Sequence, residues 1–470
     1  MNAPDTAGLK ADTADERPVA PAPAQPLERA PTFPGAGLLG HLPEVNRNIL
    51  GLLGTARDAC GPIARLRLGH KTAHAVFTAD LAEQVLIVQR DKFVKYSTIT
   101  TKVGLPIVLG QGLLMSTGEL WAKQRKLMNP SFHRQSIAKL ASTITDSGAA
   151  MIARWDERGG GEVDFQEEML LTTLEIIGKG MFSVDDLAAT RVIIESINVG
   201  AHTAFATVKN PLHPPLSWPT RGNRAFHRAM ANLNGAVYGL INARRGKQPI
   251  PDLLGALLDA RYEDGEPMPP EQLRDEVVTI IGAGHETTAM ALTWGCSALS
   301  RNPEVRRKLQ AEIDTVLGKR APTMADLPKL PYLAHTFSEI LRLYPTAPII
   351  PRAVIADAEL AGYAIPAGTM LYTSLYHVHR DPRWWDDPLE FRPERFEKGK
   401  PGHRCSYIPF GAGPRFCIGA NMAELEAQLL LAQIYQNYDV ETLSGEEPFG
   451  EVAVTMRPRG GLPVRLKKRA

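Results

Sequence analysis

The sequence predicts a mainly helical fold with a small β region, and three observations carry that expectation. A helical pattern starts behind Pro269-Pro270, carries Glu271 and Asp275 in its early turns, and runs to an Asn302-Pro303 stop. At 1.5 Å per residue such a helix spans roughly 45 Å, enough to cross a whole domain. Helical spacing of apolar residues dominates beyond Thr78, whereas alternation with β-branched residues is confined to short stretches. The 470 residues are 44% hydrophobic, enough to bury a large core, and neither an internal repeat nor a linker divides them.

Residues 1–30 mix charges with a proline-rich stretch, Pro18 to Pro26, and hold too few bulky apolar side chains to pack, so a disordered leader is expected there. Pro62 to Thr78 alternates around Gly69-His70 and reads as a hairpin. Behind the long helix, a second from Pro303 to Leu317 ends at Gly318, and a third runs from Pro331 to Leu343, ahead of Pro345. Short strands are expected between Arg352 and Thr373, and His377 and His379 alternate as in a further strand. Arg380 to Pro409 is proline-rich and loop-like, after which Ala420 to Leu431 returns to helical spacing.

Composition excludes several classes. Lys plus Arg number 53 against 51 Asp plus Glu, so neither nucleic acid nor an anionic membrane is expected as main partner. Cys60, Cys296, Cys405 and Cys417 are too few and too scattered for a disulfide framework, and none forms a Cys-x-x-Cys pair; a reducing, cytoplasmic compartment fits best. No run of eighteen apolar residues suggests a transmembrane anchor, and the polar start is unlike a secretion signal. Asp5, Asp12, Asp15 and Glu16 argue against a mitochondrial transit peptide.

The segment Phe410-Gly411-Ala412-Gly413-Pro414-Arg415-Phe416-Cys417-Ile418-Gly419 places a cysteine after a glycine-rich turn and just before a helix. Free N–H groups and the positive dipole end of a helix both stabilise anionic sulfur as a metal ligand. Gly413 and Gly419 would let the backbone turn closely, and Arg415 could reach a carboxylate. Taken alone, Cys417 reads equally well as a small buried hydrophobe at a helix start.

The same run resembles the haem-binding signature of cytochromes P450, Phe-x-x-Gly-x-Arg-x-Cys-x-Gly, at every specified position. Four further motifs similar to that family's follow its chain order. Trp121-Ala122-Lys123-Gln124-Arg125 resembles Trp-x-x-x-Arg, where residues four apart share a helix face and could meet one haem propionate. Ala283-Gly284-His285-Glu286-Thr287-Thr288 resembles the oxygen-activating acid-alcohol motif. There Gly282 and Gly284 weaken helix geometry, and a hydroxyl bonding back to a carbonyl could open a groove for dioxygen. Glu339-Ile340-Leu341-Arg342 resembles Glu-x-x-Arg, and Phe391 to Phe396 supplies the arginine, Arg395, that joins this pair in the family. An exposed pair at this spacing is worth only roughly 0.2–0.5 kcal/mol. A buried cluster is another matter, and Glu339, Arg342 and Arg395 are assigned to structure.

The resemblance implies the cytochrome P450 fold, one domain over residues 31–470, and haem b (iron protoporphyrin IX) with Cys417 as metal ligand. It implies propionate contacts from Arg125, Arg352, Arg415 and Trp121, with Phe410, Gly411, Gly419 and Ala283 also lining the cofactor. Glu286 and Thr287 are the implied catalytic pair, organising proton delivery while thiolate electron donation favours O–O cleavage. His285 is expected beside the pocket without a metal role. His377 and His379 are expected to be structural or propionate neighbours, and Cys405 a loop residue. Ile280, Ala283, Thr346, Ala347, Ile349, Ile350 and Leu105 are implied pocket residues, with hydroxyls at Thr98, Thr100, Thr101 and Thr346. That lining suits a lipophilic substrate of fatty-acid, terpenoid, steroid or polyketide type. Electrons from NAD(P)H would arrive through a ferredoxin or flavodoxin docking on Lys123, Lys126, Arg134, Lys398 and Lys400. The motifs at Ala283 and Phe391 look like the microsomal-type branch without its anchor, so a soluble bacterial enzyme of that type is expected. A peroxide-driven haem enzyme would share the Cys417 loop but usually lacks the acid-alcohol pair, and a haem-binding sensor or carrier would need no proton relay.

Overall fold

The computed structural model describes residues 27–35, 37–95, 104–184, 187–209, 213–248, 250–262, 265–400 and 402–469. Strand β1 (Glu28–Arg29) leads into helix α1 (Leu42–Cys60) and the hairpin β2 (Ile63–Leu68) and β3 (Lys71–Val76). Helix α2 (Ala79–Glu83) continues into a π-helical turn, Gln84–Val88, before β4 (Phe93–Lys95). Next come α3 (Pro106–Leu109), α4 (Gly118–Met128), α5 (Arg134–Ala138), α6 (Ala141–Glu157) and β5 (Gly161–Asp164). The helical centre is α7 (Phe165–Phe182), α8 (Leu187–Lys209), α9 (Arg221–Arg244), α10 (Leu253–Asp259), α11 (Pro270–Arg301), α12 (Pro303–Leu317) and α13 (Pro331–Leu343). Strands β6 (Ile349–Val354), β7 (Ala358–Leu360), β8 (Tyr363–Ile365) and β9 (Met370–Ser374) precede the helical turn α14 (Leu375–Val378). The chain closes with α15 (Ala420–Asn437), β10 (Tyr438–Thr442), β11 (Gly450–Val452), β12 (Met456–Pro458) and β13 (Pro463–Lys468).

The hairpin and the three helices expected from the sequence are present with the proline starts and, for α12, the glycine stop that marked them. Gly318 follows α12 at φ +57, a left-handed conformation that a side chain would resist. Two expectations need correction. The leader does not extend to residue 30: Glu28 and Arg29 pair in parallel with Tyr363 and Ala364, and Ala30 is buried in the β core. Residues 1–26 lie outside the described residues. His377 is not in a strand but in α14, because Ser374 ends β9 and its hydroxyl pairs with His377 Nδ1 at 2.7 Å.

Two apolar cores meet at the site. The larger packs α6, α7, α11, α13 and α15 around Trp155, Trp294 and Tyr435. The smaller lies under a five-stranded sheet of order β2-β3-β9-β6-β4 and takes in Leu86 of the π-helical turn. Helix α11 crosses the larger core without a break and is buried along most of its length.

Candidate active site

The cysteine loop is folded by its glycines. Gly411 has φ +75 and Gly413 φ +71, and a Cβ on Gly413 would overlap the carbonyl of Leu86, so the π-helical turn and the loop touch backbone to backbone. Cys417 N donates to Phe410 O at 3.0 Å, which closes the turn and leaves Cys417 just ahead of α15. Gly419 differs from its expected part: at φ −86 its backbone needs no glycine, and what it supplies is an N–H directed at the Cys417 sulfur. Cys417 retains accessible surface, yet protein encloses it closely enough that burial pushes its thiol up, against that N–H and the Arg125 charge. A positive metal ion would reverse the balance and hold the thiolate. Cys405, the rival thiol, is fully buried in a loop and pushed up to about 11 by burial.

Beside Cys417 stands a group of cations. Arg125 on α4 donates to Phe416 O at 2.9 Å, and its charge acts on the Cys417 sulfur. Arg415 lies over the Trp121 ring at 4.6 Å and donates to Ser116 O at 2.6 Å. Trp121 and Arg125 thus share a helix, but the indole braces Arg415. Arg352 of β6 stands directly across the ladder from Lys95 of β4, a like-charge pairing that destabilises a sheet unless something anionic lies between. Burial, with the Arg352 and Arg125 charges, holds Arg415 down at about 10. Burial alone does the same to Arg352, also at about 10. Burial and the Arg352 and Arg415 charges hold Lys95 down at about 7. No carboxylate of the described residues forms an ion pair with Arg125, Arg352 or Arg415. Lys95 was not anticipated; its strand partner is the only sign of it, and that pairing is not local in sequence.

Helix α11 is buried on both sides of a short exposed stretch. Ala283 is exposed and Gly282 and Gly284 half-exposed, whereas Ile280, Ile281, Thr288 and Ala289 are buried. Thr287 Oγ1 donates back to Ala283 O at 2.9 Å, as the motif implied, and the helix stays continuous. Gly284 instead admits α7: a Cβ there would come 2.6 Å from Ile177 Cδ1. Glu286 Oε1 accepts 2.7 Å from the buried Thr455 hydroxyl, a partner no motif marks. His285 is buried and turned to Ile281 O, 3.2 Å, and burial lowers its pKa. Ala347 is exposed, Thr346, Ile349, Ile350, Leu105 and Phe410 are half-buried, and Ile350 Cδ1 lies 3.6 Å from where a Gly411 Cβ would be. Thr98, Thr100 and Thr101 lie outside the described residues.

Glu339, Arg342 and Arg395 form a separate, closed cluster. Glu339 receives Arg342 at 2.6 and 2.8 Å, Arg395 Nε at 3.0 Å and Arg392 N at 2.9 Å. The remaining Arg342 donors reach His379 O, Pro388 O and Glu390 O. His379 Nε2 accepts from Ile408 N at 2.9 Å, and burial first, then the Arg342 and Arg380 charges, hold it neutral at about 3.

A thiol at a helix start, beside arginines that pair with no acid among the described residues, fits an anionic macrocycle with a metal at its centre. The cytochrome P450 family model matches residues 31–461. Cyclooctatin synthase of Streptomyces melanosporofaciens is 33% identical, covering 91% of this chain and 94% of that protein. Cyclooctat-9-en-7-ol 5-monooxygenase of the same organism is also 33% identical, over 91% and 94%. Rat cytochrome P450 4V2 is 31% identical over 87% and 82%. Among solved structures, the haem domain of cytochrome P450DA superposes with a TM-score of 0.85 at 25% identity, over 95% of this chain and 99% of that one. The chain belongs to the cytochrome P450 family. It is a P450 monooxygenase, of a family whose members take a haem, a substrate, dioxygen and a redox partner. Among the described residues no helix is long and apolar enough to cross a membrane.

Proposed function

We propose that the enzyme hydroxylates a lipophilic molecule of fatty-acid, terpenoid, steroid or polyketide type at an unactivated carbon. The balance is RH + O2 + 2 e⁻ + 2 H⁺ giving ROH + H2O. Haem b, held by Cys417 and by Arg125, Arg352 and Arg415, supplies the dioxygen chemistry when bound. The observation that carries the reading is the exposed Ala283 between the half-exposed Gly282 and Gly284, in the middle of a helix buried along most of its length, with the half-buried Leu105, Ile349 and Ile350 among the pocket residues the motifs imply. Apolar lining binds by excluding water from hydrocarbon, at about 25 cal/mol per Å², with few hydrogen bonds to orient a polar end. The relative named for oxidising cyclooctat-9-en-7-ol supports it. Glu286 and Thr287 deliver protons, Glu286 from the solvent side and Thr287 at the reacting oxygen. Four free thiols support a cytoplasmic location.

Electrons come from NAD(P)H through an acidic ferredoxin- or flavodoxin-type protein. Lys123, Lys126, Arg134, Lys398 and Lys400 are exposed, and the Arg134 and Lys400 charges both act on Glu424 of α15, the helix behind Cys417. Lys126→Glu should slow reduction and flatten its salt dependence; unchanged kinetics would place the dock elsewhere. The substrate class is tested by titrating fatty acids, terpenoid alcohols and steroids against the haem absorption. Ile349→Glu should weaken the best of them by roughly tenfold or more, since a buried charge lacks a partner there. Full affinity in that variant, or shifts with small polar molecules only, would contradict the reading.

A further inference from the structure

The C-terminal hairpin meets the acid of the acid-alcohol pair. β11 and β12 pair Val452 with Met456, and Ala453, Val454 and Thr455 make the turn between them. Val454 is exposed at the tip, whereas Thr455 is only 3% exposed and donates to Glu286. The hairpin is held in place independently of that bond. Trp294, two turns along α11 from Glu286, donates Nε1–H to Met456 O at 2.9 Å and stacks on Tyr344 at 4.9 Å. Gly450 lies against the same indole, its Cβ position 3.6 Å from the ring, and Met456 N donates to Thr346 O at 2.9 Å. A rigid, buried hydroxyl whose proton is committed to a carboxylate fixes the direction of that carboxylate. The turn offers no cation to compete. On α11 the titratable neighbour is His285, whose ring is turned to Ile281 O.

We propose that Thr455 is the positioning residue of proton delivery, holding the Glu286 carboxylate in the orientation from which it passes protons towards Thr287. The inference rests on the reading of Glu286 and Thr287 as the relay. Glutamate has several rotatable bonds, and without an anchor it divides its time among solvent-facing rotamers, so fewer encounters lead to transfer.

The test uses the haem-loaded full chain with Thr455→Val, Thr455→Ser, Glu286→Gln and the Glu286→Gln/Thr455→Val double variant. In crystal structures, Thr455→Val should release Glu286 from its present rotamer, and Thr455→Ser should keep it. The kinetic readout is NADH oxidation through a saturating surrogate ferredoxin and its reductase, without added substrate. Thr455→Val should slow it by on the order of tenfold and enlarge the solvent deuterium isotope effect, with haem content and the carbon monoxide band unchanged. Thr455→Ser should restore the rate, and the double variant should be no slower than Glu286→Gln. Equal slowing of wild type and of Glu286→Gln would overturn the proposal, since Thr455 would then act without Glu286; so would wild-type behaviour of Thr455→Val. A Glu286→Gln variant indistinguishable from wild type would instead overturn the relay itself, and the positioning role with it.

Discussion

Two groups of buried and half-buried arginines in this enzyme are built on opposite terms. Arg342 and Arg395 share Glu339, and their remaining donors meet backbone carbonyls from His379 to Glu390, so the protein supplies every counter-charge. Arg125, Arg352 and Arg415 donate to Phe416, Pro351 and Ser116 carbonyls and pair with no carboxylate among the described residues. Fully answered charge is architecture; charge left over beside a thiol suits an anion, as proposed for the haem propionates. Sequence spacing treats both alike, since each begins as a basic residue in a short motif.

The largest effect is expected in the closed cluster. Glu339→Gln leaves two buried guanidinium groups without their acid, at a cost of about 3–5 kcal/mol. Thermal unfolding followed by circular dichroism should fall accordingly with haem content; a variant as stable as wild type would mean that the carbonyls alone suffice.

In the open cluster the sign should divide. Arg352→Leu removes a cation that opposes Arg415 and Lys95, so the haem-free protein should be as stable as wild type or more so. Haem binding should weaken by about 1.5–3 kcal/mol, one to two orders of magnitude, because a charge-assisted bond is lost. Urea unfolding with and without haem reads both. A loss of similar size in both states would make Arg352 structural, like Arg342.

The smallest effect is a proton. Lys95 is held down to about 7 in the folded chain against an ordinary 10.5. Between those values the unfolded chain binds more protons, so this residue makes haem-free stability rise with pH from about 7 towards 10.5. An anion placed among the cations favours the charged amine, so haem binding near pH 8.5 should take up more protons in wild type than in Lys95→Met. Near pH 5.5, where the amine is already charged, the two should agree. Calorimetry in buffers of different ionisation enthalpy measures the difference, and equal uptake at both pH values would exclude Lys95 from the site.

How far the sequence could be read follows from the range of each interaction. The helices α11, α12 and α13 announce themselves through proline starts and, in α12, a glycine stop, because capping is local. Cys417, Arg415 and Gly413 lie within one turn of chain and were legible for the same reason. Lys95 and Thr455 were not: the first is placed by a strand pairing with Arg352, the second by a hairpin packed on Trp294, and neither contact leaves a trace in adjacent residues. His377 was misplaced because alternation between two histidines looks the same in a strand and in a single helical turn. Gly284 has a packing part that the sequence did not show: beside its expected weakening of the helix, it makes room for Ile177 of α7.

In the enzyme proposed here Cys417, not Cys405, carries the haem iron. The most direct measurement is the absorption spectrum of the reduced protein under carbon monoxide, in wild type, Cys417→His and Cys405→Ser. The red-shifted Soret band of a thiolate-ligated haem is expected in wild type and Cys405→Ser and should be absent from Cys417→His. Its survival in Cys417→His, or its loss in Cys405→Ser alone, would contradict the assignment.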